Sequence, residues 1–273
     1  MEASVRVRPL VRFGLVADCH SGDLPPAMGR HYRESPAKLR AAVGALRDAG
    51  AELLFELGDL KDAGADREET LVFLREIARE LRGFPGEVVP VLGNHDVDLL
   101  TKGEFLSVFA ESAGLPATPP PRRAFDRGGV RFVVLDNDFR PDGEPYAEGR
   151  FDWRECIVPD EEIAWLRAAL AEAAERPSVV LLHARLEGDG HSCTVRNAPA
   201  VRAALEEAGN VRAVFQGHHH EGCFARIGGI GYYTLPALCQ GSGPEANSYA
   251  LASVFADGRV AVRGFRRAPS LDR

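Results

Sequence analysis

Cysteine and long apolar runs are both scarce in this chain. Its 273 residues include five cysteines, an odd number without a C-x-x-C pair, which argues against a disulfide scaffold and against a zinc site made of cysteine alone. No apolar run is long enough to cross a bilayer, and the N-terminal sequence lacks the apolar segment of a signal peptide. We therefore expect a reduced, cytoplasmic protein with no membrane partner.

Positive charge is also in deficit. The formal net charge is -7 and the calculated pI about 5.7, which disfavours binding that depends on neutralising a nucleic-acid backbone. We do not expect nucleic acid as a partner, and the sequence leaves the oligomeric state open. Hydrophobic residues make up 45% of the chain, and there is no internal repeat, low-complexity segment or long linker. One globular domain, residues 1–273, is the simplest prediction.

Strand-like and helix-like segments alternate along most of the sequence. The predicted strands are residues 11–17, 52–57, 87–92, 130–136, 178–182 and 211–215, and the predicted helices are residues 35–50, 66–81, 103–113, 160–175 and 198–208. This alternation is typical of parallel strands in an α/β fold. The remaining segment holds four strand-like runs, the last two joined by a hairpin signal, and predicts a second, more antiparallel sheet against the first.

Three consecutive histidines, His218 to His220, follow the sixth predicted strand. A tag, a surface loop and half of a metal site are the possible interpretations, and the internal position excludes the tag. In extended chain, residues i and i+2 project to the same side. His218 and His220 are therefore expected to converge, while His219 points away from them, toward solvent or toward the mouth of a substrate site.

Five of the six predicted strands are followed directly by side chains that bind metals. They are Asp18 and His20 after the first strand, Asp59 after the second, Asn94, His95 and Asp96 after the third, His183 after the fifth, and His218 and His220 after the sixth. Each group alone has an ordinary explanation, such as a turn residue or a hydrogen-bonded core histidine. Because the carboxyl ends of parallel strands meet at one edge of a sheet, the five groups together predict a metal site.

The series D-x-H, G-D, G-N-H-D, H and G-H-x-H resembles the calcineurin-like metallophosphoesterases over residues 11 to about 265. The resemblance implies an α/β protein, a four-layer α/β/β/α sandwich with a dinuclear metal site at the C-terminal ends of the strands. It assigns one ion to Asp18, His20, Asp59 and His220, and the other to Asp59, Asn94, His183 and His218. Cys19, in the free position of D-x-H, is expected to be a buried small hydrophobe rather than a ligand, and redox regulation is the alternative role.

The activity that the resemblance implies is hydrolysis of phosphoric esters or anhydrides. Two divalent ions about 3.5–4 Å apart would share Asp59 and a bridging hydroxide, and the hydroxide would attack phosphorus. Oxygen and imidazole ligands suit manganese, iron or zinc. His95 would stabilise charge and protonate the leaving oxygen, with Asp96 orienting its ring; the alternative for His95 is a structural hydrogen bond.

The substrate is expected to be a small phosphorylated or nucleotide-derived compound, a phosphodiester or a nucleotide diphosphate. Phosphomonoester hydrolysis, including that of phosphoproteins, and a non-catalytic scaffold are the alternatives. The sequence also resembles, less closely, the manganese-dependent ADP-ribose/CDP-alcohol diphosphatase branch of the family. It departs from that branch at Asp96, where the branch is expected to carry glutamate. Candidate substrate contacts lie in two loops: Arg30, His31, Tyr32 and Arg33 in the first, and Glu245 and Asn247 in the second. Two further polar loops, with Asp142, Tyr146 and Trp153 in one and His191 in the other, are candidates for the cleft wall.

Overall fold

The structure, a computed structural model, describes residues 8–188, 190 and 192–272. Two six-stranded sheets pack face to face, and helices cover the outer face of each. The four-layer α/β/β/α sandwich expected from the sequence is therefore confirmed. His191 lies outside the described residues.

The first sheet has the strand order β12-β11-β10-β1-β2-β3. Its strands are β1 (Val11–Val16), β2 (Leu53–Glu56), β3 (Glu87–Pro90), β10 (Ser248–Val254), β11 (Val260–Arg266) and β12 (Leu271–Asp272). The first three are parallel to one another, and β10 adds to β1 in antiparallel orientation. The hairpin predicted at Asp257-Gly258 joins β10 to β11.

The second sheet has the strand order β4-β5-β6-β7-β9-β8. Its strands are β4 (Arg123–Arg127), β5 (Val130–Val134), β6 (Ser178–Leu181), β7 (Val211–Gln216), β8 (Cys223–Ile227) and β9 (Ile230–Thr234). Strands β5, β6, β7 and β9 are parallel, and an antiparallel strand closes each edge.

The C-terminal strands do not form a sheet of their own, so that part of the sequence prediction is wrong. Strands β8 and β9 extend the second sheet, whereas β10, β11 and β12 extend the first. The parallel strands β7 and β1 each had an unpaired edge, and pairing there satisfies backbone groups that would otherwise be buried without partners. Strand β4 is an edge strand that the sequence analysis did not identify.

In the part of the chain that the structure describes, five α-helices cover the two outer faces. Helices α1 (Ser35–Asp48), α2 (Arg67–Glu80) and α3 (Lys102–Ala113) pack on the first sheet, and α4 (Asp160–Ala171) and α5 (Ala198–Ala208) pack on the second. Asp66 caps α2 through the amide of Glu69, and Thr101 forms a capping box with Glu104 at the start of α3. None of the helices in the described part of the chain is both long and apolar enough to span a bilayer.

A cluster of aromatic rings holds the two sheets together. Phe13 of β1 lies edge-on to Phe55 in its own sheet, and to Phe132 and Phe215 in the other, at centroid distances of 5.4, 5.2 and 5.4 Å. Edge-to-face contacts of this kind add about 0.5–1.5 kcal/mol to the burial of each pair. The contacts fix the sheets face to face, and the loops that follow their parallel strands then meet at one edge of the sandwich.

Candidate metal centre

The first group of candidate ligands comes from the loops after β1 and β7. His20 Nε2 lies 3.1 Å from His220 Nε2 and 3.9 Å from Asp18 Oδ1, and His220 Nε2 lies 3.6 Å from that same oxygen. Ligand atoms about 2.1 Å from a shared ion stand roughly 3–3.5 Å apart. The distance between the two histidines falls in this range and the two distances to Asp18 lie just above it, so the three side chains are close enough to converge on one ion. Cys239 lies beside the two histidines.

The second group comes from the loops after β2, β6 and β7. His183 Nε2 lies 3.1 Å from His218 Nδ1 and 3.2 Å from Asp59 Oδ2. The same Asp59 oxygen lies 3.5 Å from His20 Nε2 in the first group. Asp59 therefore stands between the two groups, where the sequence analysis placed a shared ligand.

Several of these residues have an unusual backbone conformation. Among the described residues, eight non-glycine residues have a positive φ, and four of them are Asp18, His20, Asp59 and His218. This left-handed region disfavours residues with a Cβ and costs of order 1–3 kcal/mol at each position. Half of the backbone strain of this kind is thus concentrated on candidate ligands, a distribution typical of a functional site.

Glycines let the ligand loops approach one another closely. Gly58 has a φ of +94°, and a Cβ there would lie 2.6 Å from His183 Nδ1. A Cβ on Gly217 would lie 2.7 Å from Asp18 Oδ2. The glycine in each of the motifs G-D and G-H-x-H therefore leaves room for a ligand that comes from the opposite sheet.

The side chain of Asn94 supplies a test of whether a metal fits here. It is 2% exposed, and neither its Oδ1 nor its Nδ2 has a hydrogen-bond partner. A buried polar group left unpaired costs about 1–3 kcal/mol. A divalent ion coordinated by Oδ1 would remove part of that cost, so the residues present fit a metal centre.

Burial and neighbouring charges set the protonation of the histidines. Burial and the charge of His183 lower the pKa of His218 to about 3, and burial and His20 lower the pKa of His220 well below its ordinary value. Burial alone would lower the pKa of His183 too, but the charge of Asp59 raises it well above the usual range. His218 and His220 are consequently neutral at physiological pH, which is the form of imidazole that binds metals.

His95 lies beside the two groups with its ring held by two carboxylates. Its Nδ1 is 2.7 Å from Asp62 Oδ1 and 3.0 Å from Asp98 Oδ2. Burial alone would lower the pKa of His95, but the charge of Asp59 and the hydrogen bonds with Asp62 and Asp98 raise it well above its ordinary value. Sequence reasoning missed both of these carboxylates, which lie three residues beyond the motif residues Asp59 and His95.

The prediction that Asp96 orients the His95 ring is wrong. The Asp96 carboxylate accepts hydrogen bonds from the backbone amides of Gly93 (2.9 Å), Leu60 (2.9 Å) and Asp59 (3.1 Å). Asp96 is completely buried and ties the loop after β3 to the loop after β2. Its contacts make Asp96 a structural residue of the site, and the carboxylates that contact the His95 ring are those of Asp62 and Asp98.

Other buried polar side chains hold the ligand loops from behind. Asn137, in the loop after β5, accepts hydrogen bonds from the backbone amides of His183 and Ala184 at 2.9 and 3.1 Å. The backbone amide of His218 donates to both oxygens of Asp18, at 3.0 and 3.1 Å. Sequence reasoning also missed Asn137, because a lone asparagine after a strand carries no motif.

A cavity of about 210 Å³ opens over the two groups. Its lining residues are Arg30, Asp59, Asn94, His95, Trp153, Cys193, His218, His219 and His220. His219 is among these lining residues, which fits a position at the mouth of the site rather than one directed only at solvent. Cys19 is fully buried, as expected.

Arg30 is the one member of its predicted group that the structure brings to this cavity. Tyr32 is 5% exposed and part of the interior, so it presents no ring to a substrate. His31 Nδ1 lies 3.3 Å from Glu34, and Arg33 pairs with Asp23 at the surface. The assignments of His31, Tyr32 and Arg33 as substrate contacts are corrected accordingly.

The second predicted substrate loop does not reach the cavity either. Glu245 is exposed and pairs with Arg266 at 2.6 Å. Asn247 is buried and bonds the carbonyl of Lys38 at 2.8 Å, so its role is to hold the loop. Both assignments as substrate contacts are wrong, because the loop folds back against α1.

Among the other loop candidates that the structure describes, only Trp153 contributes to the cavity. Its ring is 5.8 Å from that of His218, and its side chain remains 40% exposed. Tyr146 is buried and donates to the carbonyl of Asp152 at 2.7 Å, and Asp142 pairs with Arg140 at the surface.

Comparison with known proteins agrees with this geometry. A family model described as calcineurin-like phosphoesterase matches residues 11–222, and a search of curated proteins finds no match. A dimetal phosphatase from Danio rerio superposes with a TM-score of 0.78 at 21% identity, over 96% of this chain and 98% of that chain.

Two more distant structures share the same fold. A purple acid phosphatase from yellow lupin (Lupinus luteus) seeds has a TM-score of 0.59 at 14% identity, over 96% of this chain and 52% of that chain. A Thermus thermophilus protein has a TM-score of 0.59 at 15% identity, over 96% of this chain and 99% of that chain. Since the family model covers most of the sequence, this chain belongs to the calcineurin-like phosphoesterase family of metal-dependent phosphohydrolases, which implies a dinuclear metal site.

Proposed function

We propose that this protein hydrolyses a small phosphodiester or nucleotide-diphosphate substrate with two divalent ions. The observation that carries the proposal is the position of Asp59 Oδ2, which lies 3.5 Å from His20 Nε2 and 3.2 Å from His183 Nε2. One carboxylate oxygen within reach of two separate groups is the arrangement that a pair of ions requires.

The ligands of the ions are the residues predicted from the sequence. One ion would be held by Asp18, His20, Asp59 and His220, and the other by Asp59, Asn94, His183 and His218. When bound, the ions would activate water at neutral pH and stabilise charge on the phosphoryl oxygens. The carboxylate, amide and imidazole donors suit manganese, iron or zinc.

His95 is the proposed proton donor to the leaving oxygen. Both carboxylates that contact its ring approach Nδ1, so that atom carries a proton and Nε2 is the nitrogen available to the substrate. The ring lines the cavity beside Asp59 and Asn94. A donor in this position acts where the leaving group is a poor one, such as a sugar or alkyl oxygen.

Arg30 and Trp153 support a substrate larger than a simple monoester. Arg30 lies 3.7 Å from Asp62 and its side chain is 18% exposed, so the guanidinium can contact a second phosphate. The half-exposed ring of Trp153 gives a flat apolar surface on which a base can stack.

The test is hydrolysis of a substrate panel by metal-stripped protein refilled with manganese, iron or zinc. The panel holds p-nitrophenyl phosphate, bis-p-nitrophenyl phosphate, cyclic nucleotides, ADP-ribose and CDP-alcohols. We expect kcat/KM to be highest for a diester or diphosphate and activity to disappear in Asp59→Asn. Preference for p-nitrophenyl phosphate would favour a phosphomonoesterase, and two bound ions without any turnover would favour a scaffold.

Arg30 and Arg33 form a matched pair for testing the substrate class. Arg30 lines the cavity, whereas Arg33, three residues later, pairs with Asp23 at the surface. Arg30→Gln is expected to raise KM for diphosphates about 10-fold or more, since a charge-assisted contact contributes about 1.5–3 kcal/mol. Arg33→Gln is expected to leave KM unchanged, and equal effects of the two variants would remove the proposed phosphate contact.

A further inference from the structure

A buried lysine next to the candidate site is not used by the proposed chemistry. Lys61 lies two residues after Asp59 and its side chain has no exposed surface. Its ammonium donates a hydrogen bond to the backbone carbonyl of His95 and lies 3.8 Å from Asp98 Oδ2. A buried ammonium is costly unless it is paired and hydrogen-bonded. The partners of Lys61 are the backbone of His95 and a carboxylate that contacts the His95 ring.

We propose that Lys61 and Asp98 are positioning residues that hold the His95 ring in the orientation in which it acts on the substrate. The inference rests on the role of His95 in the proposed function. Neither residue lines the cavity itself; both act through His95, Lys61 from the backbone side and Asp98 from the ring.

The charges around His95 alternate in sign. Asp62 and Asp98 both approach Nδ1, at 2.7 and 3.0 Å, and two carboxylates so close together repel each other. Lys61 lies beside Asp98, and Arg30 lies 3.7 Å from Asp62 Oδ2. Each carboxylate thus has a cation beside it, which offsets the repulsion between the two carboxylates at the same ring nitrogen.

The arrangement also joins two loops. Lys61 and Asp62 follow β2, whereas His95 and Asp98 follow β3. A half-turn of the imidazole would separate Nδ1 from both carboxylates, so the pair of contacts selects one ring orientation. Without Lys61, the His95 carbonyl loses a hydrogen bond and Asp98 loses its neighbouring cation. The ring is then free to take orientations in which Nε2 does not face the leaving oxygen.

The kinetic consequence depends on the leaving group. 4-Nitrophenolate is a good leaving group and departs without a proton, whereas the more basic phenolate departs readily only when its oxygen receives a proton. General acid catalysis contributes about 10²–10⁴-fold. Misplacing the ring is therefore expected to lower kcat for a phenyl ester by about 10- to 100-fold. The same change is expected to lower kcat for the 4-nitrophenyl ester less than about 3-fold, with KM little changed for both.

The experiment compares these two esters of thymidine 5′-phosphate on metal-loaded protein. Lys61→Met, Asp98→Asn and His95→Ala are made singly, and the first two are also combined with His95→Ala. Lys102→Met is the matched control, because Lys102 is also buried and pairs with a carboxylate, Asp136, at 2.6 Å. Circular dichroism and metal content confirm that each variant folds and loads. If Lys61→Met does not fold, Asp98→Asn carries the test, because its side chain is 14% exposed.

Selective loss on the phenyl ester in Lys61→Met and Asp98→Asn, absent in Lys102→Met, is the expected result. In the His95→Ala background neither change should cause further selective loss, because residues that act through one group are not additive. Two results would overturn the inference provided that His95→Ala still affects the phenyl ester selectively. One is an equal loss of kcat on both esters in Lys61→Met and Asp98→Asn, and the other is a loss in the double variants that equals the product of the single losses. If His95→Ala itself lowers kcat equally for both esters, His95 is not the general acid, and both the proposed function of His95 and this inference are wrong.

Discussion

Replacing Asn137 with alanine tests how the second sheet holds its candidate ligand. Asn137 is 1% exposed, and its Oδ1 accepts the backbone amides of His183 and Ala184. Alanine leaves both amides buried without an acceptor, at about 1–3 kcal/mol each. Water entering the vacated space offsets part of this cost. We expect the free energy of unfolding to fall by about 2–5 kcal/mol.

The same substitution is expected to weaken metal binding. The Asn137 bonds fix the backbone at the point where His183 leaves β6, and a displaced ligand typically costs 10- to 100-fold in metal affinity. Urea unfolding of the metal-free protein measures the first effect, and titration of the stripped protein with manganese, iron or zinc measures the second.

Asn197 provides the control for this pair of measurements. Its side chain also bonds backbone, accepting from the amide of Val158 at 3.0 Å and donating to the Val158 carbonyl at 2.6 Å. Asn197→Ala is expected to lower stability by about 1–3 kcal/mol without changing metal affinity. Unchanged stability of Asn137→Ala, or equal metal affinities of the two variants, would refute the reasoning.

Three further outcomes are expected. Gly14→Ala places a Cβ 2.8 Å from Leu46 Cδ1 and should cost about 1–3 kcal/mol; Leu46→Val in the same chain should recover part of it in urea unfolding. Burial outweighs the ion pair with Arg122 and raises the pKa of Glu162 from 4.5 to about 7. The protonated Glu162 therefore contributes its full stabilisation below pH 4.5, and this stabilisation is lost as the pH rises to about 7. Glu162→Gln should remove this pH dependence. The free energy of unfolding of the wild type minus that of the variant is expected to change by at most about 3 kcal/mol between pH 4 and pH 8. Removing metal with a chelator should lower the melting temperature, and refilling with manganese should restore it, because the ions bind the folded form. A melting temperature that is the same with and without chelator would argue against a bound pair of ions.

The sequence was sufficient to predict the fold class and the residues that converge at the site. Their positions follow from one rule, that loops after parallel strands meet at one edge of the sheet, and the motifs G-D and G-H-x-H mark those loops directly. The rule says nothing about a side chain a few residues further on. Asp62 and Asp98 reach the His95 ring only because each loop turns back after its motif.

The substrate contacts were harder to predict for a related reason. Tyr32 and Asn247 have residue types that suit a binding loop, but their surroundings bury them: Tyr32 in the interior, and Asn247 against the carbonyl of Lys38. Residue type indicates what a side chain is able to bind, whereas exposure is decided by packing between segments distant in sequence. The division of the last five strands between two sheets was missed for the same reason, since strand pairing is a long-range choice.

The site belongs to neither sheet alone. The Nδ1 atom of His183, after β6, lies 2.7 Å from the carbonyl of Leu57, after β2, and the amide of His218, after β7, donates to Asp18, after β1. Each of these contacts crosses from one sheet to the other. The two metal groups can therefore form only when the sheets are docked, and any change that shifts one sheet against the other also changes the separation of the groups.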